Sequence, residues 1–175
     1  ETEIAVRSEH AGIVIGRSYL PLAHAGDALY HHGQANLLAD NFRYLNPNIH
    51  LATGDLVDSA GDPPLFAAYL AGWSKIGFDG VTDHRIAATF WGFVLIVAVG
   101  LFARRLAGNV AGAAAAVLAA VHPLLWINDL MLLSEGMYQP FVVVMFWAAY
   151  EWIREPSRRN IVIVGISIAL ATLIR

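Results

Sequence analysis

Four long apolar runs follow Arg85, and the short turns between them carry most of the charge of that half. A membrane-spanning helix needs roughly 20 apolar residues, with a range of about 17–25. Ile86–Ala103, Leu106–Ile127, Gly136–Ile153 and Asn160–Ile174 meet or approach that length. The second run is rich in Ala and Gly, as close helix packing in lipid demands, and it closes with His122-Pro123 and Trp126. The third carries one acid, Glu151, near its end beside Trp152. The spacing therefore predicts an all-α fold of about four polytopic membrane helices over residues 86–175.

Composition agrees with this. Of 175 residues, 57% are hydrophobic and 14% charged, against about 25% charged in soluble domains. The mean hydropathy is +0.54. A net charge of −3 supplies no basic patch, so nucleic acid is not an expected partner. There is no cysteine, which excludes a disulfide framework and cysteine-ligated metals. Residue 1 is Glu, and the longest apolar run in 1–25, Ala11–Gly16, is too short for a signal-peptide core or a span. The last run stops abruptly at Arg175. These ends lead to the expectation of a fragment of a larger membrane protein; the alternative is a complete small protein with a polar head.

Charge then sets sidedness. Arg104-Arg105 lies between the first and second runs, and Arg154, Arg158 and Arg159 lie between the third and fourth. Alternating spans put both turns on one side, and the positive-inside rule makes that side cytoplasmic. Residues 1–85 and the loop Asn128–Glu135 then share the external face.

Within the external region, residues 27–40 read as a helix with Asp27 as N-cap and Ala28, Leu29, Ala35 and Leu38 on its apolar side. Phe42–Gly61, with its Asn, Pro, Gly and Asp, reads as loop. Pro63-Pro64 opens a second helix over 65–76, whose Phe66, Tyr69, Leu70 and Trp73 share one face. Too short to span, it is expected to lie in the membrane interface.

Several polar residues have the chemistry of a site. Asp27 is a candidate general base at the membrane edge, since a carboxylate partly withdrawn from water can accept a hydroxyl proton; a plain N-cap is the competing account. His24, Asp27 and His31 recur at a spacing that suits one helical face, with His32 nearby. A divalent metal is therefore the one cofactor to consider, although none is required by the pattern. Asp129 and Glu135 are acids close to hydrocarbon, where charge is costly and often functional. Asp62 starts a turn, and Asp83, His84 and Arg85 precede the first span. Arg85 suits a lipid phosphate, or snorkels to water. Arg175 breaks the inside-positive pattern at its external position, which again suits a phosphate.

Taken in order, these segments resemble the GT-C membrane glycosyltransferases, in particular the protein O-mannosyltransferase and lipid A aminoarabinose transferase branch (glycosyltransferase family 39-type). Gly26-Asp27-Ala28-Leu29-Tyr30-His31 with Gln34–Asp40 resembles that family's first external loop. Pro63-Pro64-Leu65 with Leu70-Ala71-Gly72-Trp73 resembles its "HPPL" helix. Arg104–Gly108, Leu132–Glu135 with Tyr138, and Gly165 with Ala171–Arg175 resemble later segments, so that the likeness covers about residues 20–175. Asp62 stands where the family has His, Asn41 where it has Gly, and the family's first span has no counterpart in 1–25.

The resemblance implies a multi-pass cell-envelope enzyme with its active site on the external face. It would move a sugar from a polyprenyl-phosphate-linked donor to a lipid, glycan or protein acceptor. Asp27 would be the catalytic base, and Tyr30, His31, Glu135, Arg85 and Arg175 would bind substrate. The fragment alone would be inactive, because the remaining spans are missing. A different class of function, a transporter or flippase subunit for a lipid-linked substrate, would use the same interfacial helices without breaking a bond. A structural assembly subunit is the third reading.

Overall fold

A computed structural model describes residues 25–175, and within them the fold is all-α. The helices are α1 (Ala25–Asn41), α2 (Pro47–Thr53), α3 (Pro64–Lys75), α4 (Val81–Val121), α5 (Pro123–Leu130), α6 (Ser134–Arg154) and α7 (Arg158–Ile174).

The most consequential element is α4. A straight helix of its 41 residues would be ~61 Å long, about twice the hydrocarbon core of a bilayer. It is not straight. Ala107 (φ −140°, ψ 16°) and Gly108 (φ 86°, ψ −179°) leave helical geometry, and only glycine adopts the second conformation without strain. The chain reverses there. A Cβ built on Gly100 would meet the Ala116 Cβ at 3.0 Å, and one on Gly112 would meet the Gly100 carbonyl oxygen at 2.8 Å. Residues sixteen apart in a continuous helix would be ~24 Å apart, so α4 is a hairpin whose two arms touch through glycine and alanine, as close packing in lipid requires. Among the described residues, α4 is the element long and apolar enough to cross a membrane, and most of its most apolar stretch faces outward.

The expected second span, 106–127, does not continue to its end. The second arm stops at Val121, His122 turns to extended backbone, and Pro123 begins the separate helix α5. Proline has no N–H to give back to the preceding turn and disfavours helix in the residue before it.

The head of the molecule packs on this bundle. Ala28, Ala35 and Ala39 give α1 a smooth small-residue stripe, and Phe66, Leu70 and Ala71 of α3 close onto it. Burying Phe66 and Leu70 stabilises by about 1.5–3 kcal/mol each. The same cluster takes in Ala87 and Ala88 of α4, Leu132, Met137 of α6 and Ile174 of α7. The Tyr69 hydroxyl donates to the Ala87 carbonyl at 2.8 Å, and the Trp91 ring meets those of Tyr69 and Phe141 at 5.7 and 5.4 Å. Aromatic packing thus ties α3 to α4 and α6, while α6 lies along α7.

Two further expectations are corrected. Asp27 does not cap α1: the helix begins at Ala25, and Asp27 stands inside its first turn. The segment Phe42–Gly61 is not all loop, because it contains α2. Asn46 caps α2 by accepting from the amides of Asn48 and Ile49 at 3.0 and 3.2 Å, Pro47 fits the first turn, and Gly54 closes it with φ 81°. The helix sits tightly on α1, where a Cβ on Gly33 would lie 2.8 Å from the Pro47 Cβ.

Candidate active site

His31 is the centre of the polar group at the head of the bundle. It lies on α1 one turn beyond Asp27, faces α3, and is 8% exposed. Its ring packs edge-on against Phe66 at 5.1 Å and Tyr30 at 6.2 Å, and its Nδ1 has no hydrogen-bond partner among the described residues. Burial lowers its pKa, because the charged imidazolium loses water. The negative charges of Asp62, Asp27 and Glu135 pull in the opposite direction. Three acids from α1, the turn before α3, and the start of α6 therefore bear on one imidazole.

Arg175, at the end of α7, forms an ion pair with Glu135. The C-terminus of α7 and the N-terminus of α6 are thus held together. Asp27 itself is exposed on the surface of α1. Tyr30 reaches the loop before α3: its hydroxyl lies 2.9 Å from Ser59 Oγ and accepts from Gln34 Nε2 at 3.2 Å. Gln34 is 1% exposed, and its Oε1 has no partner among the described residues. Arg85, near the start of α4, is half-buried with an unpartnered Nε. The structure thus pairs Glu135 with Arg175 and His31 with Tyr30, and the charges of Asp27 and Glu135 bear on His31; no contact joins Arg85 to them. Asp129 lies in α5, with its side chain outside the description.

A second polar group was not legible in the sequence. His32 Nδ1 lies 3.0 Å from His84 Nδ1, and His84 Nε2 lies 2.9 Å from Ser74 Oγ. Ser74 donates to Asn36 Oδ1 at 2.7 Å, and Asn36 Nδ2 reaches His32 Nε2 at 3.4 Å and the Asp79 carbonyl at 3.1 Å. The tautomers follow from this ring. Ser74 has two acceptors, Asn36 Oδ1 at 2.7 Å and the Leu70 carbonyl at 3.3 Å; with its one hydrogen given to either, His84 carries its proton on Nε2 and donates to Ser74. His84 Nδ1 then accepts, so His32 donates from Nδ1 and accepts at Nε2 from Asn36. In this arrangement every member is satisfied with both histidines neutral. The ring joins α1, α3 and the start of α4, which fixes the helix that carries Asp27 and His31.

The metal expectation rested on His24, Asp27 and His31. His24 lies outside the described residues. Among the described residues no group of three or more His, Cys, Asp or Glu side chains is placed to hold a metal ion.

Sequence reasoning treated Asp62 as a turn residue, whereas its charge acts on His31. Its place beside Pro63-Pro64, where the resembled family has an imidazole, was the signal that marked it.

Comparison with known proteins gives one match. Residues 61–175 match the family model described as dolichyl-phosphate-mannose-protein mannosyltransferase. No curated protein and no solved structure matches the chain. The matched segment includes Asp62, Arg85, Glu135 and Arg175, and begins after Asp27, Tyr30 and His31.

Proposed function

Because the chain belongs to the dolichyl-phosphate-mannose-protein mannosyltransferase family of membrane glycosyltransferases, we propose that it moves a sugar from a polyprenyl-phosphate-linked donor to an acceptor hydroxyl on the external face of a cell membrane. The helices of residues 86–175 hold the protein in the membrane, and α1 and α3 lie in the interface above them with Asp27, Tyr30 and His31. Family membership is the observation that carries this reading.

The chemistry assigns a role to each member of the group at the head of the bundle. The acceptor hydroxyl gives its proton to the Asp27 carboxylate as its oxygen attacks the anomeric carbon. The bond from that carbon to the lipid phosphate breaks, and the electron pair leaves with the polyprenyl phosphate. Attack from the face opposite the phosphate inverts the anomeric centre. Negative charge grows on the phosphate as it departs, and a guanidinium already in place stabilises that charge without reorganising. Arg175, held by Glu135, and Arg85 supply it. Tyr30, oriented by Gln34 and Ser59, and His31, kept neutral by burial, line the sugar.

What supports Asp27 as the base is its position. It is an exposed carboxylate one turn from His31, on the same end of the bundle as Glu135 and Arg175. Water-exposed approach suits an acceptor arriving from outside the membrane.

The test is sugar transfer in membranes containing the full-length protein, supplied with a panel of radiolabelled polyprenyl-phosphate hexoses and pentoses. Label passing from one of these donors to an acceptor, above membranes lacking the protein, is the expected result. No transfer from any donor, with the protein present and folded, overturns the reading.

A further inference from the structure

We propose that a cleft at the opposite end of the bundle, between α4, α6 and α7, binds an anionic phospholipid through its headgroup phosphate. The cleft is lined by Arg105, Val144, Trp147, Glu151, Arg159 and Asn160, among others, and has a volume of about 450 Å³.

Charge identifies the head of the occupant. Arg105 donates to Glu151 through two nitrogens, and Trp147 Nε1 donates to the same carboxylate at 3.2 Å. Glu151 is the one acid on the wall, and this pairing neutralises it. Arg159 forms no ion pair among the described residues and is exposed. It sits with Arg158 in the first turn of α7, which has no acid there. Two guanidiniums at the positive end of a helix dipole are an unfavourable arrangement that an anion relieves. Five arginines (Arg104, Arg105, Arg154, Arg158, Arg159) meet two acids, Glu151 and Glu155, at this end.

A separate observation points to a ligand. Asn160 is 7% exposed and lines the cleft. Its backbone amide donates to Ser157 Oγ at 3.2 Å, while its side-chain amide has no hydrogen-bond partner among the described residues. An amide on the wall of the cleft, free of any partner among the described residues, is a donor that a phosphate oxygen can accept from.

The rest of the lining identifies the tail. Val144, Ala148 and Ile163 form an apolar wall continuous with the charged rim. An occupant that satisfies both is an amphiphile with an anionic head. A membrane supplies one in its phospholipids, and basic residues at the membrane surface attract anionic lipid. The proposal stands apart from the sugar-transfer reading, because these residues lie at the far end of α6 from Glu135. Sixteen helical residues separate Glu135 from Glu151, ~24 Å along the axis.

The experiment is native mass spectrometry of the full-length protein, delipidated in detergent and titrated with phosphatidylglycerol or phosphatidylcholine. One retained phosphatidylglycerol, in preference to phosphatidylcholine, is expected. Arg159→Gln should weaken its retention about fivefold, and Asn160→Ala should weaken it as well. Arg43→Gln, which removes an equal charge from the head region, should leave it unchanged. Equal retention of both lipids overturns the proposal, as does an Arg159→Gln protein that behaves like Arg43→Gln. Displacement of the lipid by millimolar inorganic phosphate alone also overturns it, since the site would then be a simple anion site.

Discussion

Arg175 closes an ion pair onto Glu135 across forty positions of sequence, joining the last turn of α7 to the first turn of α6. Both side chains are partly open to water, and exposed pairs of this kind contribute little to stability, about 0–1 kcal/mol. The value of the pair is positional. It holds a guanidinium on Glu135, at the end of the bundle where the proposed reaction needs a cation for the departing phosphate.

Arg175→Gln is therefore expected to separate activity from stability. Sugar transfer should fall about 100-fold, the typical effect of removing one preorganised donor to a developing oxyanion. Thermal unfolding should move by less than about 1 kcal/mol. Comparing initial rates with melting curves checks both halves; a large loss of stability with proportionate loss of rate would assign the pair a structural role.

The histidine ring should behave oppositely. Ser74→Ala leaves the His84 Nε2 donor and the Asn36 Oδ1 acceptor without their partner. Stranding buried polar groups costs about 1–3 kcal/mol each, so destabilisation of about 2 kcal/mol is expected by chemical denaturation. An unchanged midpoint would show that the ring does not hold α1 to α3 and α4.

Acid should loosen the same helix. Burial lowers the pKa of both His31 and His32 below the ordinary 6.5, against the opposing pull of Asp62, Asp27 and Glu135 on the first and Asp79 on the second. Above pH 6.5 neither the folded nor the unfolded state protonates these rings, and their contribution is complete. As pH falls through 6.5 the unfolded state takes up protons first, so stability declines until the lower folded pKa is reached. Melting curves at pH 7.5, 6.5 and 5.5 should step downward. A stability that rises over this range would contradict the assignment of neutral rings.

The α4 hairpin supplies a steric test. A Cβ on Gly112 would lie 2.6 Å from the Arg104 Cβ and 2.8 Å from the Gly100 carbonyl oxygen. Backbone cannot yield as a flexible side-chain tip can, so Gly112→Ala should destabilise by about 1–3 kcal/mol, the usual range for overpacking. Gly165→Ala, at a position with open space for a Cβ, is the matched control and should be near neutral. Unfolding of the two proteins in detergent, side by side, reads the difference.

Much of the fold was legible because hydrophobic period and proline placement act locally. Pro63-Pro64 set the start of α3, and the paired arginines marked a turn that the structure places at Ala107–Gly108. The break at Pro123 and the Asn46-Pro47 cap of α2 were equally local, but were passed over in favour of an unbroken apolar run and a loop-like composition. The site was legible only in part. Asp27, His31, Glu135 and Arg175 were singled out one by one, on cost of burial or on resemblance. The partnership of His32 with His84 was not, since contact across 52 positions is set by how α1 packs on α3 and α4, which no local pattern encodes.

The most direct measurement is transfer of radiolabelled sugar from its polyprenyl-phosphate donor by wild type and by Asp27→Asn, in membranes with equal amounts of folded protein. The substitution keeps the shape of the side chain and removes its capacity to take a proton. A general base contributes about 10²–10⁴-fold, so the variant should lose at least about 100-fold in rate while its melting curve stays in place. Transfer at the wild-type rate by Asp27→Asn would contradict the account and leave Asp27 as a residue of the first turn of α1 with no part in the chemistry.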